Sequence, residues 1–258
     1  IFQYFSDDND SDGAGNYLKN TTAFQVRKKT DDSLIATSTD THIDIAIKAA
    51  KQGKAIYMEK PIAKSFSEIA PLANEISKNN NILEVGFQLR AHPNLVKLHE
   101  VLKQKPFGPL YTYRAAVGYR LDRWRPDTNY RECYSASEKN GGGVLLDLIH
   151  EIDLVHWLTG GIQKIYGNIS HVSDLEISAE DLANLTLTNK NGAIGQIQMD
   201  MVSPEYRRSL ELIYRDAIIY WDYTTGTVYK KQNGVMSLID QTPKTFEKNV
   251  MFKKLMSN

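Results

Sequence analysis

The chain has 258 residues, and its 31 lysines and arginines are balanced by 31 aspartates and glutamates. That length suits one large domain or two modest ones, and the zero net charge gives no general attraction to nucleic acid or to an anionic membrane. The single cysteine, Cys133, excludes an internal disulfide and a multi-thiolate zinc site, and it suits a reducing compartment, so a cytoplasmic protein is expected.

Residues 1–12, IFQYFSDDNDSD, lack the basic-then-apolar order of a signal peptide, and no apolar run approaches the ~20 residues that cross a bilayer. Ile1 opens inside an apolar run without an initiator methionine. Residues 249–258 stop within an amphipathic helical pattern. The sequence therefore reads as a fragment.

Residues 1–5 form a strand candidate that ends at the acidic turn SDDNDSDG. Residues 33–42, SLIATSTDTH, begin as a strand and end in the Thr, Ser and Asp residues that start helices. The following helix puts Ile43, Ala46, Ile47 and Ala50 on one face and stops at Gly53. KAIYME, residues 54–59, is another strand, and a helix spans 65–80. ILEVGFQ, residues 82–88, is a third clear strand. Strand–helix alternation at this spacing predicts a parallel sheet with crossover helices over residues 1–88.

The pattern changes from there. Residues 94–104 read as a helix and 110–120 as a strand, and 121–143 are irregular. Residues 143–160, GVLLDLIHEIDLVHWLTG, read as one continuous helix. Strand patterns then cover 162–172, 181–202, 207–223 and 226–234, with KNGA and KQNG as hairpin turns. The expected architecture is an α/β, Rossmann-like domain over 1–88 and an α+β domain with a large open mixed or antiparallel sheet over 89–258. Small ligands bind at the carboxyl ends of parallel strands and in clefts.

Two motifs carry chemistry. In YMEKPIAKS, residues 57–65, a strand delivers Glu59 and Lys60, and Pro61 ends its ladder at once. Lys60 then stands at the carboxyl end of a parallel strand; read alone, the pair also fits a surface Glu–Lys couple. In residues 141–158, three glycines permit close approach of backbone and ligand. Asp147 and His150, three apart, would share one helix face, where a carboxylate can orient an imidazole. The alternative is a helix cap beside a core histidine. His150-Glu151 does not complete a zinc-protease HExxH motif, because position 154 is Leu154, so no metal site is expected.

Together and in this order, EKP at 59–61, IATSTDTH, EVGFQLRAHP and the glycine-rich helix resemble the glucose–fructose oxidoreductase / inositol dehydrogenase / MocA (Gfo/Idh/MocA) family. The resemblance implies NAD(P)-dependent hydride transfer at a hydroxyl or keto carbon of a sugar, with Lys60, His150 and Asp147 as catalytic residues. It places Thr37, Ser38, His42, Glu59, Lys60, Pro61 and Gln88 at the cofactor. It also implies a homo-oligomer, dimer or tetramer, paired through the second domain's sheet. The family's commoner pattern has its aspartate four residues before the histidine; here the spacing is three, and His150 and Asp153 keep the following His-x-x-Asp. The GxGxxG fingerprint would precede the strand at 1–5. The stretch 122–143 resembles a subgroup linked to bacterial nucleotide-sugar and surface-polysaccharide pathways. That likeness implies Trp124 and Arg125 near the nicotinamide or clamping substrate, unless they are a packed aromatic and a surface arginine, and Tyr130, Arg131 and Tyr134 as substrate contacts, beside Lys60, Asp147 and His150. Asp7 and Asp8 would meet the ribose hydroxyls and favour NAD over NADP, unless they are a solvated turn. The competing reading is a non-catalytic sugar- or nucleotide-binding protein of the same fold.

Overall fold

A computed structural model describes residues 32–255. The strand at 1–5, the acidic turn, Asp7 and Asp8 lie outside the described residues. The chain forms two compact units. The first runs through Gly86 and takes in Leu121–Asp147 and Asp174–Ala179; the second holds Phe87–Arg120, Leu148–Ser173 and the chain from Glu180 onward.

In the first unit, β1 (Asp32–Ile35), β2 (Ala55–Met58) and β3 (Leu83–Val85) make a parallel sheet in the order β1-β2-β3. Helices α1 (Thr39–Lys51) and α2 (Ile69–Asn79) supply the crossovers. Ala46, Ala49 and Ala50 of α1 are buried with Ile35, Ile56, Met58 and Leu72 in one core. Small residues on the helix let it lie close to the sheet, and truncating Ile56 or Leu72 to alanine would cost about 2–5 kcal/mol. Gly53, at φ 70°, takes the left-handed position after α1, and Asn80, at φ 52°, does so after α2. The alternation expected from the sequence is the one observed.

The second unit is built on an eight-stranded mixed sheet of order β11-β10-β9-β8-β4-β7-β6-β5. Its strands are β4 (Leu110–Gly118), β5 (Ile162–Ser170), β6 (Leu182–Asn189), β7 (Ile194–Asp200), β8 (Arg207–Tyr214), β9 (Ile218–Asp222), β10 (Thr227–Gln232) and β11 (Val235–Gln241). Only β4 and β7 pair in parallel; the other neighbours are antiparallel. Alternating burial in β6 and β7 shows one face packed and the other free. At the sheet's middle, a Cβ on Gly195 would fall 2.1 Å from the Tyr113 ring, so glycine admits the buried tyrosine. Helix α3 (Pro93–Lys103) packs against β10 and β11.

The helix expected over 143–160 is broken. Its first piece, α4 (Val144–Asp147), ends in the first unit, and α5 (His150–Leu158) starts in the second, against β4 and β7. The strand β11 follows the KQNG turn where the sequence pattern ended in a hairpin signal alone. The terminal helix, α6, spans Asn249–Leu255.

Candidate active site

β1 and β2 end side by side, with Ile35 opposite Met58. The segments that follow them therefore leave the same edge of the sheet. After β1 come Thr37 and Ser38. Ser38 caps α1 without spending its hydroxyl on a helix N–H, and the Thr37 and Thr41 hydroxyls are 2.7 Å apart. After β2 come Glu59, Lys60 and Pro61, the Lys60–Pro61 bond being cis.

His42 links the two exits. It is buried, with Nδ1 2.8 Å from the Pro61 carbonyl and Nε2 3.1 Å from the Thr37 carbonyl. Burial lowers its pKa, so the ring is neutral and has one proton for two carbonyls. The shorter contact assigns that proton to Nδ1. His42 thus holds the cofactor edge together through main chain. Glu59 lies beneath Gly86: a Cβ there would stand 2.8 Å from the Tyr57 hydroxyl and 3.1 Å from both Glu59 carboxylate oxygens. Burial raises the Glu59 carboxyl, and the Lys60 charge opposes that rise.

Lys60 and Asp147 meet, although not as two side chains. Lys60 Nζ donates to the Asp147 main-chain oxygen at 2.7 Å. An unbroken helix would offer that carbonyl to the Glu151 N–H; the Glu151 N–H instead bonds to Leu148 O at 3.3 Å. The lysine has taken the carbonyl where the helix breaks. The Asp147 side chain is 6% exposed. Its Oδ1 accepts from the Tyr134 hydroxyl at 2.5 Å, and its Oδ2 has no hydrogen-bond partner in the protein. Burial pushes the Asp147 carboxyl above the ordinary carboxylate range, while the Lys60 charge, the Tyr134 and Ser135 hydroxyls and the Arg125 charge pull it back. Burial and the neighbouring carboxylate raise the Tyr134 phenol in turn, so it stays a neutral donor.

The glycine triplet makes this contact possible. A Cβ on Gly142 would fall 2.1 Å from the Tyr134 carbonyl oxygen. Gly142 N–H and Gly143 N–H bond to Ser137 O at 2.9 Å and Ser135 O at 3.1 Å. The close approach that the glycines permit at this position is therefore backbone to backbone.

Trp124 and Arg125 follow the turn Leu121–Arg123, and the Arg125 charge reaches both Asp147 and Tyr134. Arg131 stacks over Tyr130 at 4.7 Å and donates to Glu176 at 2.5 Å. These residues, with Thr37, Ser38, His42, Glu59, Lys60, Pro61, Tyr134 and Asp147, belong to the first unit. Gln88 and His150 belong to the second. Gln88 Oε1 is buried without a partner. His150 is 5% exposed and meets the Phe87 ring edge-on, centroids 5.9 Å apart. The adjacent Glu151 carboxylate is paired with Arg208 at 2.7 Å, the glutamate buried and the arginine side chain 12% exposed.

Sequence reasoning places Tyr134 against substrate and misses its hold on Asp147. No local period connects positions 134 and 147, and only the requirement for glycine at 142 hints at the contact. The Arg208 partner of Glu151 is likewise invisible in the sequence, because it comes from a distant strand. Leftover buried polar atoms, Asp147 Oδ2 and Gln88 Oε1, are the kind that a bound polar molecule satisfies. Among the described residues there is no group of histidine, cysteine and carboxylates that could hold a metal, and no helix long and apolar enough to cross a membrane.

Two family models match the chain. Residues 16–87 match the model described as "Oxidoreductase family, NAD-binding Rossmann fold", and residues 95–220 match the GFO/IDH/MocA C-terminal domain. The myo-inositol 2-dehydrogenase of Thermotoga maritima is 28% identical over 169 residues, covering 64% of this chain and 48% of that protein. The scyllo-inositol 2-dehydrogenase (NAD(+)) of Bacillus subtilis is 28% identical, covering 66% and 48%. The chain thus spans about half the length of these curated relatives. Among solved structures, the WlbA dehydrogenase of Bordetella pertussis, in complex with NADH and UDP-GlcNAcA, superposes with a TM-score of 0.70 at 19% identity. That match covers 90% of this chain and 65% of the other, and it supports the fold.

Proposed function

The chain belongs to the Gfo/Idh/MocA oxidoreductase family, and from that premise we propose that its protein interconverts a sugar or nucleotide-sugar hydroxyl and the corresponding ketone with a nicotinamide cofactor. The observation that supports this most is the Lys60 ammonium fixed 2.7 Å from the Asp147 carbonyl, beside a buried carboxyl with one oxygen unspent. A surface Glu–Lys pair has no need of such an anchor.

The bound dinucleotide would supply the hydride acceptor, or the hydride in the reverse direction. Thr37, Ser38, Glu59, Lys60 and Pro61 at the ends of β1 and β2, with Gln88, Trp124 and Arg125, are assigned to hold it, and His42 braces that edge. Asp7 and Asp8 are assigned to the ribose hydroxyls, which favours NAD over NADP. In the oxidation direction the substrate O–H proton must leave as the C–H electron pair departs. His150 takes that proton, since an imidazole titrates near neutral pH. Lys60 donates a hydrogen bond to the same oxygen and stabilises the negative charge that develops there. Asp147 positions Lys60 through its carbonyl and presents Oδ2 to substrate. Arg131 and Tyr130 are assigned to the rim that meets the sugar.

The relatives support the substrate class: two are named for inositols, and WlbA was crystallised with a nucleotide-sugar. A cytoplasmic homo-oligomer is proposed as well. It is supported by exposed apolar side chains on the sheet, among them Ile165, Tyr166, Ile169, Met236 and Leu238. A monomer mass that does not change with concentration would overturn it.

The test is binding of NADH and NADPH to the full-length protein, read by nicotinamide fluorescence, followed by turnover of Lys60→Ala and His150→Ala. Binding with NADH preferred is expected, together with a loss of at least ~100-fold in kcat for each variant, the scale of one acid–base group. No binding of either dinucleotide would transfer the reading to a non-catalytic binding protein of the same fold.

A further inference from the structure

We infer that Tyr134 is a positioning residue: its hydroxyl fixes the Asp147 carboxylate, and through it the main-chain carbonyl that anchors Lys60. The inference rests on the oxidoreductase reading for its consequence in catalysis, but its structural core can be read without turnover.

Four observations converge. The Tyr134 hydroxyl lies 2.5 Å from Asp147 Oδ1, in the range of a charge-assisted bond. Asp147 is buried, so an ionised carboxylate there depends on the few groups that face it. Those groups are the Lys60 and Arg125 charges, the Tyr134 phenol and the Ser135 hydroxyl. The two cations are long and flexible, and Lys60 directs its hydrogen bond to the carbonyl; the phenol ring is the rigid partner. Finally, the backbone around Tyr134 is fastened to the start of α4. Gly143 N–H bonds to Ser135 O, and Gly142 leaves no room for a side chain against the Tyr134 carbonyl. Such a fastening fixes the height of the phenol relative to Asp147.

The function follows from the chain path. Asp147 is the last residue of α4, and its carbonyl faces Lys60 only while the helix ends there. Holding the side chain by Oδ1 limits rotation of this terminal residue and leaves Oδ2 uncommitted. One residue of the irregular stretch 121–143 therefore sets two features at once, the ionisation of Asp147 and the seat of the Lys60 ammonium. Tyr134 does this without touching the reacting atoms.

The experiment compares wild type with Tyr134→Phe in the full-length protein. Phenylalanine keeps the ring and removes the donor. The first readout is the titration of the Asp147 carboxyl by carbon-13 NMR, assigned with Asp147→Asn. A lost hydrogen bond to a charged group should raise this pKa by about one unit. The second readout is kcat, which should fall as the seat of Lys60 loosens while KM for the dinucleotide stays put. An Asp147 titration that does not move in Tyr134→Phe overturns the inference. A moved titration in a protein that neither binds nicotinamide nor turns over leaves it standing and sinks the oxidoreductase reading instead. If Tyr134→Phe fails to fold, 3-fluorotyrosine at position 134 replaces it. This more acidic donor should shift the Asp147 titration downward, and an unchanged titration again overturns the inference.

Discussion

Two buried carboxylates sit four residues apart in the chain and are handled in opposite ways. Glu151, on α5, faces the Arg208 guanidinium at 2.7 Å, with side chains 1% and 12% exposed. Asp147, at the end of α4, is given a neutral phenol, the charges of Lys60 and Arg125, and an oxygen left over. The first arrangement neutralises its charge with a full counter-ion and ties α5 to β8. The second leaves a carboxyl raised by burial and partly unsatisfied, which is how reactive sites are built and stable cores are not. Burial alone therefore does not separate structural from functional acids; a counter-ion in direct contact does.

The largest effect should come from the structural pair. Glu151→Gln leaves the Arg208 guanidinium buried without a counter-charge, and a loss of about 3–5 kcal/mol in unfolding free energy is expected. Replacing both partners, Glu151→Leu with Arg208→Met, should restore most of that loss, because well-packed apolar residues substitute for buried ion pairs at little cost. Asp147→Asn should behave oppositely at pH 7: unchanged or higher stability, with turnover down at least ~100-fold. The sign follows from the raised carboxyl. A folded pKa above the unfolded value means that folding favours the protonated acid, so this group's stabilisation is present below the unfolded pKa and is lost as pH rises through the folded one. Denaturant melts and steady-state rates on the two single variants decide the contrast, and a stability loss as large in Asp147→Asn as in Glu151→Gln would erase it.

Gly142→Ala sharpens the comparison from the backbone side. The new Cβ would meet a carbonyl oxygen at 2.1 Å, and backbone cannot step aside as a side-chain tip can. Overpacking of this kind costs about 1–3 kcal/mol. The displaced Tyr134 should also reproduce the raised Asp147 titration expected for Tyr134→Phe. A stability loss with an unmoved Asp147 titration would mean that the triplet serves folding alone.

How much of this is legible in the sequence depends on whether the cause is local. The alternation of β1, α1 and β2 is readable because each element buries a face set by its own period, and Gly53 and Asn80 end the helices through their own backbone freedom. The EKP turn is readable because Pro61 stops a ladder wherever it stands. The break between Asp147 and His150 is not, since residues 143–160 carry an unbroken helical pattern and the interruption coincides with Lys60, which arrives from 87 positions away. The partners of Asp147 and Glu151 are hidden for the same reason: Tyr134 and Arg208 are brought in by the fold, and nothing in the spacing of single residues encodes them.

The smallest effect should come from a buried ionisable group that lacks a carboxylate's options. His92 opens α3 at 2% exposure, ringed by Trp221, Tyr223 and Phe246, with centroids 5.2–5.9 Å away. Burial and the nearby Arg208 charge press its pKa down to about 4, against a weaker upward pull from Asp240. A depressed histidine favours the neutral form in the folded state. Its contribution is therefore fully present above the unfolded pKa of about 6.5 and is lost as pH falls toward 4. Between pH 7 and pH 5 that amounts to about 2 kcal/mol at most. His92→Gln removes the titration, so its unfolding free energy should fall less steeply than wild type over this window, whatever the offset between the two proteins at pH 7. Parallel pH dependences in wild type and His92→Gln would show that the ring is solvated well enough to titrate freely. The partner set would then be more complete there than the geometry around α3 indicates.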